Sequence, residues 1–186
     1  MTHTFKTGDC LNLIKELDTN SIDFCYFNPP FGITGCQYDK PLNWSELWPE
    51  IWRVLKPKGT VAIHSSQPFT FDLVTSQRKH FKYCWYWKKL CGPTGFLFSK
   101  YQPMRNIEEI CIFYKKFGTY NPQMVLRDKP KIRPNNTVMN TEYYSGVKNM
   151  INKAISYTHN RPTHLIEMKR RTHKFSTRTV EMCEYF

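Results

Sequence analysis

A chain of 186 residues with 40% apolar and 16% aromatic content is about one domain, long enough to bury a core and too apolar for general disorder. No N-terminal apolar stretch approaches the roughly 18 residues of a membrane span, and none has a secretory layout, so a soluble, cytoplasmic protein with no membrane partner is expected. The net charge of +12 is one-sided, since residues 1–80 hold eight Lys/Arg against eight Asp/Glu and residues 81–186 hold nineteen against seven. A basic second half suits either a solvated surface or phosphate contacts.

In chain order, residues 4–7 read as a short strand and residues 10–17 as a helix capped by Asp9, with Leu13, Ile14 and Leu17 on one face. Residues 22–27 are a strand apolar on both faces, as a central parallel strand should be. Residues 44–55 form a helix capped by Asn43 or Ser45, with Pro49 in its first turn or kinking it. On this helix Trp44, Trp48 and Trp52, spaced four apart, suit a core face better than a stacking platform. Strand 60–64, helix 69–77, strand 83–88 and strand 110–114 follow. This alternation predicts an α/β domain with a largely parallel sheet.

From residue 115 to about 161 the pattern gives way to Asn-Pro, Lys-Pro, Arg-Pro and Asn-Asn pairs among many cations, which predicts a loop-rich basic insert. A strand at 165–168 and a helix start at 177–185 close the chain. The expected divisions are 1–116, 117–162 and 163–186. The seven cysteines, Cys10, Cys25, Cys36, Cys84, Cys91, Cys111 and Cys183, include no Cys-x-x-Cys pair, so reduced thiols are expected. The histidines lack metal-ligand spacing, and no metal site is expected.

Chemistry concentrates at Asn28-Pro29-Pro30-Phe31, directly after the strand at 22–27. Pro30 has no N–H and confines Pro29 to an extended conformation, which leaves the Pro29 carbonyl fixed and unused beside the Asn28 amide oxygen. Two acceptors so placed can hold both hydrogens of a flat exocyclic amino group, while the Phe31 ring stacks on the heterocycle that carries it. Adenine N6 and cytosine N4 both fit. The plainer possibility is a strand-to-turn junction, for which Asn, Pro and Gly are ordinary residues.

The tetrapeptide resembles the catalytic loop of S-adenosylmethionine-dependent amino-methyltransferases. Its surroundings are similar to those of bacterial and viral DNA adenine/cytosine methyltransferases: Gly8-Asp9-Cys10-Leu11 and 17–23 before it, then 52–59 (Trp-Arg-Val-Leu-Lys-Pro-Lys-Gly) and 64–69 (His-Ser-Ser-Gln-Pro-Phe) after it. Thr94-Gly95-Phe96-Leu97, 105–110 (Arg-Asn-Ile-Glu-Glu-Ile), 113–116 and 119–123 continue the likeness over nearly the whole chain. It implies a partial Rossmann-like methyltransferase domain with Asn28, Pro29, Pro30 and Phe31 as catalytic residues. It also implies S-adenosylmethionine as cofactor and double-stranded DNA as partner, with a base flipped out of the helix, adenine preferred. The insert at 117–162 corresponds to the target-recognition region.

Other candidates are weaker. Asp9, with Cys10 beside it, is equally a helix cap and a cofactor contact at the carboxyl edge of the first strand. Ser65, Ser66 and Gln67 suit a base or backbone contact as well as a plain turn. Lys88, Lys89, Lys100, Arg105, Lys115 and Lys116 are phosphate candidates or plain surface charges.

Two departures from the family stand out. No Gly-x-Gly occurs, although the cofactor turn of such enzymes needs it, and residues 174–179 (Lys-Phe-Ser-Thr-Arg-Thr) differ from the His-Pro-Thr-Gln-Lys-Pro-like segment expected before it. Three possibilities stay open: a shortened product, a half completed by a second polypeptide or by a homodimer partner, or a diverged relative that binds DNA without catalysis. Methylation of an RNA base or a protein glutamine is a further alternative. An incomplete sheet with an exposed edge is expected in each case.

Overall fold

The computed structural model describes residues 3–90, 92–133, 155–168 and 182. Two units divide the chain, residues 1–119 with 164–186 and residues 120–163. In the first, Asp9 accepts the amide of Asn12 at 3.1 Å and starts helix α1, Cys10–Lys15. Six residues make a marginal helix alone. Arg53 stabilises its far end, donating to the carbonyls of Ile14 at 3.1 Å and Leu17 at 2.8 Å while its Nε pairs with Glu50 at 2.7 Å. No strand forms over residues 4–7; the segment is exposed coil, because Thr-Phe-Lys-Thr offers one apolar side chain to bury.

Strand β1, Ile22–Phe27, leads through a loop to helix α2, Trp44–Val54. Leu47, Trp48, Ile51 and Val54 line the buried stripe of α2, with spacings of one, three and three residues. Asn43 is the N-cap and Pro49 lies in the second turn, past the first-turn position, where it forgoes one intrahelical amide bond. The helix passes without a loop into strand β2, Leu55–Ser65, five residues earlier than expected, because Val54 and Leu55 are both buried across the junction. Helix α3, Phe69–Ser76, and strands β3, Phe81–Lys89, and β4, Ile107–Phe113, follow.

In the second unit strands β5, Val125–Arg133, and β6, Ile155–Asn160, pair antiparallel, so the expected loop-rich insert holds a two-stranded ribbon. The Lys129-Pro130 signal that reads as loop falls where the pairing register shifts, between Leu126 and Lys131, and there no ladder amide is missed. Strand β7, Leu165–Met168, returns to the first unit. The expected helix at 177–185 lies outside the described residues apart from Met182, which is helical and fully buried.

The main sheet has the order β1-β2-β4-β3-β7. β1 is parallel to β2 and β7 to β3, while β4 is antiparallel to both its neighbours, so four of five strands point one way. Alternation along β2 sends Val61 and Ile63 to one face, where Leu47, Ile51, Leu73 and Phe113 meet them, and Ala62 to the other, among Trp85, Trp87, Ile110 and Ile166. Each fully buried residue of this size contributes about 1.5–3 kcal/mol. Among the described residues β1 has a strand neighbour only on its β2 side.

Candidate active site

The carboxyl ends of β1, β2 and β3, with the start of the reversed β4, share one edge of the sheet. Asn28 to Phe31 leave β1 at this edge. Asn28 is exposed, Pro29 is buried, and Pro30 and Phe31 are half-buried. The Phe31 ring lies on Phe69, the first residue of α3, at 5.4 Å between centroids and 16° between planes. Phe69 therefore backs the ring and fixes its tilt.

The loop after the tetrapeptide is tied by Asp39, a residue that sequence reasoning passed over. Its carboxylate accepts the amides of Gly32 at 2.8 Å, Ile33 at 3.0 Å and Thr34 at 2.8 Å, together with the Thr34 hydroxyl at 2.7 Å. Partial burial pushes its pKa up, but the Thr34 hydroxyl and the three amides outweigh that and hold it below the ordinary carboxylate value. Gly32, at φ +67°, makes the turn possible; a Cβ there would come within 2.4 Å of the Pro41 ring. A detectable signal was the Gly32-to-Asp39 stretch itself, where one carboxylate follows a turn rich in unpaired amides.

A second feature without a sequence forecast is a buried polar chain across the sheet at the same edge. The Tyr26 hydroxyl lies 2.5 Å from His64 Nε2, His64 Nδ1 lies 3.1 Å from Glu108, and Glu108 pairs with Lys89 at 2.9 Å. Glu108 accepts from the Lys89 ammonium, and in the tautomer whose His64 Nδ1–H donates to Glu108, Nε2 accepts from Tyr26. Strands β1, β2, β3 and β4 each contribute one residue to this chain near the edge that carries Asn28.

The remaining candidates scatter. Asp9 and Cys10 are exposed, and Asp9 is engaged as the α1 cap rather than standing at the end of a strand. Ser65 is wholly buried with its hydroxyl 3.2 Å from the Cys111 sulfur, Ser66 is half-buried and Gln67 is exposed. Lys89 is committed to Glu108 inside the protein, whereas Lys88 is half-exposed beside Glu167 at 2.7 Å. Lys100 and Arg105 are exposed at the edge that carries Asn28. Lys115 and Lys116 follow the end of β4 and so lie at the opposite edge, Lys115 over the Trp52 ring at 5.2 Å. Trp44, Trp48 and Trp52 do face the protein: Trp48 is buried and stacked on Trp52, and its indole donates to Ser76 at 2.9 Å.

Asn28 and the Phe31 ring reach the surface at the carboxyl edge of β1, exposed and half-buried, with buried Pro29 between them. No strand among the described residues is followed by a Gly-x-Gly turn. No group of metal-ligating side chains is present among them either, and no helix is long and apolar enough to cross a membrane.

No family model matches the chain, and no curated protein does. Among solved structures it is similar to the PvuII DNA methyltransferase (cytosine-N4-specific), with 14% identity and a TM-score of 0.53 over 90% of this chain and 57% of that one. It is similar also to M1.HpyAVI in its SAM complex, with 14% identity and a TM-score of 0.54 over 96% of this chain and 72% of that one. The chain spans little more than half the length of the PvuII enzyme. At such identity the likeness is one of architecture: the protein has the mixed α/β fold found in these methyltransferase structures.

Proposed function

We propose that this chain presents a nucleobase of duplex DNA for methylation on its exocyclic amine, adenine N6 before cytosine N4, with S-adenosylmethionine as the methyl source. The observation that supports it most is the placing of Asn28 to Phe31: an exposed Asn28, a buried Pro29 with a half-buried Pro30, and a half-buried ring backed by Phe69 at the carboxyl edge of β1. The Asn28 oxygen and the Pro29 carbonyl take one amine hydrogen each, which leaves the nitrogen lone pair pointing outward. The nitrogen becomes cationic before it loses a proton, so these residues need only orient it. Extruding a base costs roughly a few kcal/mol, and stacking on Phe31 offsets part of that.

Cytosine N4 is the second reading, favoured by the cytosine-N4 specificity of the PvuII enzyme. The insert at 117–162 would serve target recognition, and a second polypeptide or a second copy would complete the cofactor site.

Tritiated methyl transfer from S-adenosylmethionine, offered duplex DNA, RNA and protein in parallel, tests the proposal. Label in DNA at adenine N6, lost in Asn28→Ala, is the expected result. Label in RNA or protein alone removes DNA as substrate. No transfer together with no heat of S-adenosylmethionine binding by calorimetry assigns the chain a non-catalytic, DNA-binding role instead.

A further inference from the structure

Between β3 and β4, at the edge that carries Asn28, the chain makes a projecting loop closed at its neck. Thr94 and Arg105 exchange backbone bonds, Thr94 N–H to Arg105 O at 2.7 Å and Arg105 N–H to Thr94 O at 2.9 Å. At the crown a single helical turn, Phe96–Phe98, is entered through Gly95 at φ +92°, and the amides of Tyr101 and Gln102 both close on Phe98 O, at 2.9 and 3.0 Å. The backbone is therefore internally bonded. The side chains nevertheless point to solvent: relative exposure is 77% at Phe96, 86% at Leu97, 56% at Phe98, 86% at Tyr101 and 43% at Met104.

Five large apolar side chains on one ordered loop make a patch that soluble proteins keep for a partner. Charge identifies the partner's chemistry. From Leu73 to Ile107 the sequence has seven Lys/Arg and no Asp/Glu, and Lys100 and Arg105 lie within the loop itself. The occupant is then anionic and has flat apolar faces. Arg105 Nη1 reaches to 3.5 Å from Ser66 Oγ, in the turn after β2, and β2 is the direct neighbour of β1 with Phe27 beside Ile63. The loop thus stands on the edge from which Asn28 emerges.

We propose that Phe96, Leu97 and Tyr101 form a wedge that stacks on the bases left in the duplex when the target base is drawn out, with Lys100 and Arg105 on the flanking phosphates. This rests on the proposed DNA-base reading of Asn28 to Phe31 and adds a second contact to it. The wedge fills the gap in the stack and so opposes the return of the base. Stacking on an aromatic side chain tolerates any sequence, because every base has a π-face.

The test uses the full chain and two duplexes, one intact and one with a single abasic site opposite an unpaired adenine. The protein should bind the gapped duplex more tightly. The double variant Phe96→Ser, Tyr101→Ser should lose roughly tenfold or more in affinity for it and lose the preference over the intact duplex. Gln102→Ala, on the same crown, should keep both, and both proteins should melt at the wild-type temperature because the altered side chains are solvent-exposed.

Wild-type affinity and preference in the double variant would overturn the wedge, as would failure of the wild type to bind either duplex. Loss of binding to phosphatidylserine vesicles with unchanged DNA binding would overturn it too, assigning the patch to a lipid surface. Methyl transfer to DNA that persists with unchanged KM in the double variant would sink the wedge and leave the base cradle standing. Wedge-dependent DNA binding without methyl transfer would do the reverse.

Discussion

Asp39→Ala should loosen the loop that follows Asn28 to Phe31. The carboxylate holds three amides and a hydroxyl within 3.0 Å, two of the amides exposed and that of Ile33 half-buried. A hydrogen bond to a charged group is worth about 1.5–3 kcal/mol when protected; here water replaces much of it, so roughly 0.5 kcal/mol each, or about 2 kcal/mol together, is the expected cost. That raises local opening about 30-fold. Amide exchange followed by NMR reads it directly: protection at Gly32, Ile33 and Thr34 should fall about 30-fold while that at Ile51 and Ile63 stays unchanged. Asp39→Asn keeps one carbonyl oxygen and should recover part of the loss.

Acidity gives an independent check. The folded pKa of Asp39 is lowered, so its contribution is present above the unfolded value near 3.9 and is lost as pH falls through the folded one. Protection of these amides should therefore hold at neutral pH and fail only in acid. Unchanged exchange in Asp39→Ala would refute the bracing role.

Other expectations follow from the interior. Glu108→Gln removes the charge opposite the nearly buried Lys89 while keeping one oxygen acceptor and should destabilise by about 3 kcal/mol in urea unfolding, whereas Glu167→Gln, opposite the half-exposed Lys88, should cost under about 1 kcal/mol; equal losses would contradict the burial argument. Ile51→Ala, at the fully buried centre of the α2 face, should cost about 2–5 kcal/mol by the same measurement. Burial pushes the Cys25 thiol up to about 11, so iodoacetamide at pH 8 should label exposed Cys10 and Cys36 well before Cys25. Since that folded pKa lies above the unfolded value of 9.0, the thiol's contribution to stability should be intact below pH 9 and decline towards about pH 11.

The strands and helices were legible where one apolar period ran unbroken, as at Ile22–Phe27, where the bounds coincide, and at Leu47, Trp48, Ile51 and Val54. Residues 4–7 show the limit: alternation over four positions says nothing about whether a partner strand exists. The ribbon of β5 and β6 was hidden because Lys129-Pro130 looks like loop wherever its register shift is unseen. The surface position of Asn-Pro-Pro-Phe directly after β1 was readable because it follows from the local strand-to-turn sequence. Asp39 was passed over although its partners lie only five to seven residues before it, because an acidic residue in a turn looks like plain surface charge, whereas the Tyr26-His64-Glu108-Lys89 chain joins residues far apart in sequence through strand register alone.

The most direct measurement compares the affinity of the full chain for an oligonucleotide with one extrahelical adenine and for the same oligonucleotide with purine, which lacks the amine, in its place. If Asn28 and Pro29 each accept one amine hydrogen, purine should bind about tenfold or more weakly, and Asn28→Ala should shrink that difference. Equal affinity for adenine and purine in the wild-type protein would contradict the cradle at positions 28 to 31.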